Sequence, residues 1–396
     1  MSNSAPSFRV AIACGGTGGH LFPGVAVAAE LRERGCVVRL LISPKEIDQQ
    51  AVRTARDLEF DVLPAVGLTR GGALAFAKGF AGAYRSAAAA FRVNRPDAVL
   101  AMGGFTSAPP VLAGRAVGAL AFLHESNTIP GKANRWLSWL VSEAFVGFPE
   151  AADRLHTARS RMTGTPVRPE FSAVPAGPGA ARAAARQALG LAPERPTLLV
   201  TGGSQGARGL NDLVLAALPQ LRQLVPDLQL FHLTGPADAE KVTAACAALQ
   251  IPAVVRPFCG EMHLALAAAD AVISRAGASS LAEIAAMRVP ALLVPFPAAT
   301  DNHQFFNALA FEQAGAARLC PAAGTTPEAL AASAAELLGA TPAAVAMRGA
   351  LAQWHFPGAA ARIADEILTA IALARARAGG PPARIAALAA TTSLSV

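Results

Sequence analysis

The chain has 396 residues, of which 53% are hydrophobic and 15% are charged. A chain of this length and apolarity predicts about two folded domains and excludes disorder for most of its length. The formal net charge is +7, yet the basic residues are dispersed and form no stripe interleaved with aromatic residues, so we expect no nucleic-acid partner.

Targeting and redox features indicate a cytosolic protein. The first residues, MSNSAPSFRV, lack the basic and apolar regions of a signal peptide, and no run reaches the ~18 apolar residues of a membrane span. The cysteines stand singly, with no C-x-x-C pair: Cys14, Cys36, Cys246, Cys259 and Cys320. This pattern argues against a disulfide framework and against a structural zinc site.

The N-terminal half alternates apolar runs with helical patterns. Residues 8–14 form a short apolar run that ends in Gly-Gly, and residues 23–34 have helical spacing. Further apolar runs follow at 36–43, 98–103, 120–124 and 144–148. Continuous apolar runs separated by helices predict a parallel sheet covered on both faces.

The same alternation restarts after a Pro- and Ala-rich stretch at 166–196, which predicts a linker followed by a helix. Apolar runs follow at 197–203, 230–235, 253–258, 271–274 and 290–296. Both halves open on an apolar run, a Gly-rich turn and a helix, in the sequences VAIACGGTGGH and LLVTGGSQGAR. We therefore predict two Rossmann-like, doubly wound α/β domains in tandem, over 1–167 and 168–356.

A last helical pattern lies beyond both predicted domains. Ile363, Ile367 and Ile371 recur at helical spacing with charged residues between them, which predicts an amphipathic helix over about 357–376. We expect this helix to pack back onto the N-terminal domain. The Ala-, Gly- and Pro-rich tail at 377–396 is predicted to be disordered.

The first Gly-rich loop, Gly15-Gly16-Thr17-Gly18-Gly19-His20, lies between a predicted strand and a predicted helix. Glycines let backbone N–H groups approach an anion, and a helix N-terminus adds partial positive charge, so the loop predicts a phosphate site. A tight turn without a ligand is the alternative, and the spacing does not match G-x-G-x-x-G. His20, at the mouth of the loop, is either catalytic or structural.

Two further Gly-rich loops also follow apolar runs. The loop at 202–208 matches the first in position and adds the hydroxyl of Ser204, which favours a second phosphate cradle over a turn alone. The loop at 103–107 contains Gly104 and Phe105.

The segment 274–283 combines a strand end, a turn of small residues and a helix that carries Glu283. A carboxylate here suits the paired hydroxyls of a ribose, since it accepts two hydrogen bonds at once; helix capping is the alternative. A polar cluster with His303 and Gln304 opens another helix. No Asp-x-Asp pair and no ligand spacing typical of a metal site occur in the sequence, so we expect no metal.

One predicted helix carries an aromatic face made of Phe76, Phe80 and Tyr84. Leu74 lies near this face, and Arg70, Lys78 and Arg85 surround it. An apolar patch rimmed by positive charge is suited to an anionic bilayer. A helix that faces the core gives the same pattern.

Seven segments in this order resemble the MurG family of N-acetylglucosaminyltransferases, which belongs to glycosyltransferase family 28. They are GGTGGHLFPGVAVA at 15–28, GGF at 103–105, HESNTIPGKAN at 124–134, GTPVR at 164–168, GGSQGAR at 202–208, SRAGASSLAEIAA at 274–286 and PFPAATDNHQ at 295–304. The resemblance spans roughly 8–375 and implies a GT-B fold, whose two Rossmann-like domains face each other across a cleft. It also implies inverting, metal-independent transfer of N-acetylglucosamine from UDP-GlcNAc to the C4 hydroxyl of the N-acetylmuramoyl unit of lipid I, without a cofactor, giving lipid II for peptidoglycan.

The resemblance also implies roles for individual residues. His20 is expected to be the general base. The expected donor-binding residues are Thr17, Gly18, Gly19, Asn127, Arg168, Ser204, Cys259, Ala278, Ser279, Ser280, Leu281, Ala282, Glu283, His303 and Gln304. Gly15, Gly16, Gly104 and Phe105 are expected to bind the acceptor. Among the donor residues, Asn127 would approach from the N-terminal side, Arg168 and Ser204 would meet the diphosphate, Cys259 the uracil and Glu283 the ribose.

The implied partners are UDP-GlcNAc, lipid I and an anionic membrane surface, which predicts a peripheral protein on the cytoplasmic face of the inner membrane. The nearest alternative is another GT-B glycosyltransferase with a lipid acceptor such as diacylglycerol. A Rossmann oxidoreductase would need G-x-G-x-x-G and an acidic residue ~20 positions later, which the first loop does not offer. An inactive nucleotide-sugar sensor is disfavoured because His20, Glu283 and Gln304 are all present.

Overall fold

The computed structural model describes residues 7–44, 58–64, 72–173, 179–203 and 206–379. The chain divides into two compact units. The N-terminal unit comprises Met1–Glu125, Pro130–Pro166 and Gly358–Val396, and the C-terminal unit comprises Ser126–Ile129 and Val167–Pro357. No pattern in the sequence indicates that the four residues 126–129 group with the C-terminal unit.

The N-terminal unit is a parallel sheet with helices on both faces. Its strands are β1 (Arg9–Ala13), β2 (Val37–Ile42), β3 (Glu59–Val62), β4 (Ala98–Ala101), β5 (Leu120–Glu125), β6 (Glu143–Val146) and β7 (Ser160–Met162). Its helices are α1 (Gly18–Glu33), α2 (Ala73–Val93), α3 (Ala108–Ala116), α4 (Lys132–Leu137), α5 (Pro149–Ala152) and, from the end of the chain, α15 (Ala359–Arg377), with a 3₁₀ turn at Phe105–Ser107.

The strand order in this sheet is β3-β2-β1-β4-β5-β6-β7, with every pair parallel. The order reverses at β1, where Ile12 pairs with Leu40 of β2 on one side and with Leu100 of β4 on the other. In doubly wound sheets ligands bind beyond the carboxyl ends of the strands at such a reversal. The loops after β1 and β4 therefore lie at the expected position of a site.

Successive residues of β1 point into two different cores, because side chains alternate across a strand. Val10 and Ile12 belong to a core that contains buried residues of α1 and α15, whereas Ala11 and Ala13 face a core formed with α2 and α3. Ile363, Ile367 and Ile371 of α15 are all buried in the first of these cores. The last helix of the chain thus completes the core of the N-terminal unit.

The C-terminal unit is a second parallel sheet, in the order β10-β9-β8-β11-β12-β13. Its strands are β8 (Thr197–Thr201), β9 (Gln229–Leu233), β10 (Ala253–Arg256), β11 (Ala271–Ser274), β12 (Ala291–Leu293) and β13 (Arg318–Leu319). Its helices are α6 (Glu170–Ala173), α7 (Ala180–Leu189), α8 (Arg208–Leu224), α9 (Ala239–Ala248), α10 (Met262–Ala268), α11 (Ala278–Met287), α12 (His303–Gln313), α13 (Pro327–Leu338) and α14 (Pro342–Gln353), with a 3₁₀ turn at Thr300–Asn302.

Both sheets have the strand order of the Rossmann fold around their first strand, so the predicted fold of two doubly wound α/β domains is confirmed. One boundary was wrong: α1 begins at Gly18, five residues before the predicted start at 23, so Gly18 and Gly19 of the first loop lie in its first turn. Within the described residues no single helix is long and apolar enough to cross a membrane. Only α13 and α14 together reach that length, across a bend of 78°.

Candidate active site

The first Gly-rich loop is held against the sheet by backbone contacts of the N-terminal unit. An added Cβ at Gly15 would overlap the backbone of Ile42 and Ser43, so this position requires glycine. The Thr106 hydroxyl donates to the Gly15 carbonyl at 2.7 Å. Since α1 begins at Gly18, the N–H groups of its first turn lie at this loop, where the start of a helix favours an anion.

His20 lies in the first turn of α1, against the loop that follows β4. Its Nδ1 is 3.2 Å from the Thr17 hydroxyl. A Cβ added to Gly103 would lie 2.7 Å from His20 Nε2, and one added to Gly104 would lie 3.3 Å from Cε1, so the glycines make room for the ring. The structure thus brings together predicted residues of the first Gly-rich loop and of the loop at 103–107. With Nδ1 protonated and donating to Thr17, Nε2 carries the lone pair that a general base needs.

His124, the other histidine near this loop, has a different environment. It is fully buried, and its Nε2 lies 3.1 Å from the Gly164 carbonyl. Since a carbonyl only accepts, Nε2 is the donor in this hydrogen bond. Burial lowers the pKa of His124 to about 4. These features indicate a structural role and disfavour His124 as the general base.

Sequence reasoning missed a buried polar pair that borders the same loops. The Glu125 carboxylate accepts hydrogen bonds from the Gly131 N–H at 3.0 Å and from Asn134 Nδ2 at 2.9 Å. Asn134 also donates to the His124 carbonyl, and its Nδ2 lies 3.5 Å from the Cβ position of Gly103. Both residues lie in the motif HESNTIPGKAN, which is the sequence signal that could have identified them.

In the C-terminal unit, the structure brings together three of the predicted donor-binding positions. Arg168 donates from Nη1 to the Gly260 carbonyl, next to Cys259, at 3.3 Å. Its Nη2 lies 3.9 Å from Glu283 Oε1. A guanidinium and a carboxylate therefore share one largely buried place beside the peptide that follows Cys259.

Glu283 does not cap α11. The helix begins at Ala278 after the N-cap Gly277, and Glu283 lies in its second turn, so the capping alternative does not fit. Burial raises the pKa of Glu283 to about 7, opposed by the charge of Arg168 and supported by that of Glu170. The predicted turn residues Ala278, Ser279, Ser280, Leu281 and Ala282 form the first turn of α11 and the residue after it. Because α11 follows β11, the backbone of these residues lies beyond the carboxyl end of that strand.

Arg275, immediately before this turn, was missed by sequence reasoning. Its side chain is buried, and Nη1 donates to the carbonyls of Val294 and Pro295, both at 2.9 Å. The guanidinium also lies over the Phe296 ring at 5.6 Å. Burial lowers the pKa of Arg275. This arginine ties the turn before α11 to the loop that leads to His303 and Gln304.

His303 and Gln304 open α12, as predicted. Gln304 Oε1 accepts from the Phe296 N–H at 2.9 Å, which directs the side-chain amide group away from that loop. His303 Nδ1 lies 2.8 Å from the Thr300 carbonyl. Asn127 was expected on the N-terminal side, but residues 126–129 group with the C-terminal unit, and Asn127 contacts Asn307 of α12.

The second Gly-rich loop is described only in part. Gly203 and Gly206 both have positive φ angles, of 88° and 73°, and a Cβ at Gly206 would overlap the carbonyl of Thr234. Ser204 lies outside the described residues, so its predicted role is not tested. In the described ranges, no three His, Cys, Asp or Glu side chains form a group that could hold a metal ion.

The aromatic face of α2 is divided between core and surface. Phe80 and Tyr84 pack against the core of the N-terminal unit. Phe76 contacts Phe105 edge-on, with ring centroids 5.7 Å apart. The exposed apolar side chains at this end are Leu74, at 70%, and Phe105, at 41%. Arg70 lies outside the described residues.

Comparison with known proteins identifies the family of this chain. Residues 10–146 match the model of the glycosyltransferase family 28 N-terminal domain, and residues 197–363 match that of the C-terminal domain. A protein of Anaeromyxobacter sp. strain K is 38% identical over 94% of this chain and 95% of its own. A protein of Sorangium cellulosum is 38% identical over 93% of this chain and 90% of its own. Both are named UDP-N-acetylglucosamine–N-acetylmuramyl-(pentapeptide) pyrophosphoryl-undecaprenol N-acetylglucosamine transferase.

Solved structures agree with this result. The crystal structure of Acinetobacter baumannii MurG has a TM-score of 0.69 and 29% identity, and it covers 92% of this chain and 100% of its own. A UDP-N-acetylglucosamine 2-epimerase with a TM-score of 0.68 is only 16% identical over 96% of this chain and 99% of its own, which shows a shared fold alone. The two domain models, which follow each other in the same order as the two units, and the relatives that align over nearly the whole chain show that this protein belongs to glycosyltransferase family 28.

Proposed function

We propose that this chain transfers N-acetylglucosamine from UDP-N-acetylglucosamine to the lipid-linked N-acetylmuramoyl-pentapeptide, lipid I, to give lipid II for peptidoglycan. The names of relatives that align over more than nine tenths of the chain support this activity. The observation that carries the proposal is the position of Arg168 between Glu283 and the carbonyl of Gly260, because a nucleotide diphosphate needs both a cation and a ribose acceptor.

The donor binds in the C-terminal unit in this proposal. Glu283 accepts from the ribose hydroxyls, and Arg168 with the first turn of α11 faces the diphosphate. Cys259 meets the uracil through its backbone, since its thiol is buried and burial raises the pKa of that thiol. His303 and Gln304 contact the sugar. Ser204 is assigned to the diphosphate, and Thr17, Gly18, Gly19 and Asn127 complete the donor contacts.

The acceptor binds in the N-terminal unit. Its diphosphate is held by the N–H groups of Gly15 and Gly16 and by the start of α1, with Gly104 and Phe105 beside it. His20 removes the proton from the attacking C4 hydroxyl. The hydroxyl oxygen forms the new bond at the anomeric carbon as the bond to UDP breaks, so the configuration inverts. Arg168 stabilises the charge of the leaving UDP, and the reaction needs no metal ion.

The lipid acceptor requires contact with a bilayer. Leu74 and Phe105 are exposed apolar side chains at one end of α2, and Lys78 and Arg85 are exposed basic residues on the same helix. Apolar side chains next to positive charge favour peripheral binding to an anionic surface. We infer that the chain acts at the cytoplasmic face of the inner membrane.

A direct assay tests this function. Labelled UDP-N-acetylglucosamine is incubated with the protein and either a short-chain lipid I analogue or diacylglycerol, and UDP and glycolipid are measured. We expect UDP and a disaccharide-bearing lipid with the first acceptor and no product with the second. Product with diacylglycerol alone would identify a different lipid glycosyltransferase, and UDP release without any glycolipid would contradict transfer to either acceptor.

A further inference from the structure

The side chain of Asn307, in α12, uses every hydrogen-bonding position that it has. It is fully buried. Its Oδ1 accepts from the Thr128 N–H at 2.9 Å and from the Thr128 hydroxyl at 3.0 Å. Its Nδ2 donates to Asn127 Oδ1 at 3.0 Å and to the Ala276 carbonyl at 3.1 Å. An asparagine amide offers two donors and two acceptor positions, so this one is saturated.

This arrangement fixes which way the Asn307 amide points. In the flipped orientation its NH₂ group would face the Thr128 N–H, and its oxygen would face the Ala276 carbonyl. Both contacts would then be unsatisfied in a buried place, which destabilises the flipped orientation. The observed orientation is therefore strongly preferred.

Asn307 and the residues that it contacts belong to three segments with predicted donor-binding residues. Thr128 and Asn127 lie in the stretch 126–129 that groups with the C-terminal unit. Ala276 lies in the turn that leads into α11 and Glu283. Asn307 itself is one helical turn from His303 and Gln304, which open the same helix. A single buried amide thus connects all three segments inside this unit.

The orientation of Asn307 is transmitted to Asn127. Because Asn307 Nδ2 donates to Asn127 Oδ1, the oxygen of Asn127 is directed toward α12. Its Nδ2 is consequently directed to the other side of the amide. Asn127 is only partly buried, so part of the residue is accessible. In this orientation Asn127 offers N–H groups to the ligand and not its oxygen.

We propose that Asn307 is a positioning residue that sets the amide orientation of Asn127, which then donates a hydrogen bond to an oxygen atom of the nucleotide-sugar donor. The inference rests on the proposed function, since it assumes that the donor binds beside Asn127. It adds that Asn127 acts as a hydrogen-bond donor and that a residue outside the ligand-binding set determines this.

The substitution Asn307→Asp tests the orientation directly. The introduced carboxylate has nearly the same shape and still accepts from Thr128, but it removes both N–H donors. Asn127 can then form a hydrogen bond with the introduced carboxylate only by turning its own NH₂ group toward α12. This rotation presents the oxygen of Asn127 to the ligand. We expect the KM for UDP-N-acetylglucosamine to rise about 10-fold, the effect of one hydrogen bond, with the acceptor KM within twofold of the wild type.

A double-mutant comparison separates positioning from general destabilisation. If Asn307 acts through Asn127, Asn307→Asp has no further effect on the donor KM in an Asn127→Ala background. Phe311→Leu is the matched control, because Phe311 is a buried residue of the same helix that packs on Trp354. We expect it to lower the melting temperature without changing the donor KM. Effects of Asn307→Asp and Asn127→Ala that multiply would overturn the inference.

Asn127→Asp gives a second test that does not disturb the buried helix. The variant still accepts from Asn307 but has no NH₂ group, so we expect donor binding as weak as in Asn127→Ala. A wild-type donor affinity in Asn127→Asp, measured by calorimetry with UDP-N-acetylglucosamine, would contradict the inference. Wild-type protein that binds no nucleotide sugar and transfers none would instead contradict the proposed function, so the two failures differ.

Discussion

The two units have the same strand order around their first strand but place different chemistry at its carboxyl end. In the N-terminal unit the loops after β1 and β4 enclose a histidine ring with Thr17 and two glycines. In the C-terminal unit the corresponding end of the sheet carries the charged side chains Arg168 and Glu283. The same backbone arrangement therefore supplies a helix start in each unit, and a few side chains decide the chemistry beside it.

The difference corresponds to the two halves of the proposed reaction. Removing a proton from a hydroxyl needs a positioned base, and histidine is the side chain that most often serves as one. Stabilising a departing nucleotide diphosphate needs fixed positive charge, which arginine provides. Substitution of His20 should thus affect turnover, whereas substitution of Glu283 should affect donor binding.

His20→Ala is expected to have the largest effect. If this substitution leaves turnover unchanged, the division of roles between the two units is wrong. Loss of a positioned base lowers turnover by about 10²–10⁴-fold. Donor affinity, measured by calorimetry with UDP-N-acetylglucosamine, should stay within twofold because His20 is not assigned to the donor. His156→Ala serves as the control, since His156 is a histidine of the same unit that stacks on Trp139. Near-normal turnover of His20→Ala would place the base elsewhere.

Glu283→Ala is expected to act on donor binding instead. Loss of hydrogen bonds to a charged acceptor weakens binding by about 1.5–3 kcal/mol, or roughly 10- to 150-fold in Kd. Turnover at saturating donor should change little. An unchanged Kd in a folded Glu283→Ala protein would show that the ribose does not contact this residue.

The pH dependence of the wild type sharpens the same prediction. The pKa of Glu283 is raised from 4.5 to about 7, so the carboxylate ionises only as the pH passes neutrality. Donor affinity should then rise between pH 6 and 8, since the ionised form is the better acceptor, whereas Glu283→Gln should show no such rise. The stability of the free protein should change in the opposite direction. A raised pKa favours the folded state at low pH, and this contribution is lost as the pH rises from 4.5 through 7.

Membrane binding is the smallest expected effect. Replacing Leu74 and Phe76 with serine should weaken binding to anionic vesicles about 10-fold, because two apolar side chains lose their lipid contact. Activity on a water-soluble acceptor should stay unchanged. Leu373→Ser, at an exposed position of α15 in the same unit, is the control. Equal vesicle binding by the double variant and this control would exclude the end of α2 as the membrane contact.

Much of the fold could be predicted from the sequence because the buried strands are continuous apolar runs and the turns after β1 and β8 are rich in glycine. The start of α1 was misplaced because Pro23 resembles the first residue of a helix, where proline is favoured. Asn134, Arg275 and Asn307 were missed for a common physical reason. Each is a buried polar side chain that satisfies backbone groups distant in sequence, and hydrophobic periodicity carries no information about such partners.

The aromatic face of α2 illustrates a further limit. Phe76, Phe80 and Tyr84 share one side of the helix, but Phe80 and Tyr84 pack on the core while Phe76 meets Phe105. Helical spacing identifies which residues share a face, but it does not tell where along the helix the core ends. The membrane contact consequently shifts toward Leu74 in the prediction above.

The position of α15 has a consequence for how the chain is made. The core around Val27 and Leu31 of α1 is completed by Ile363, Ile367 and Ile371, which are synthesised about 330 residues later. At the usual 5–20 residues per second, synthesis of the intervening chain takes roughly 15–65 s. During this interval the apolar face of α1 lacks its final cover, so the nascent N-terminal unit exposes apolar surface until α15 has been made.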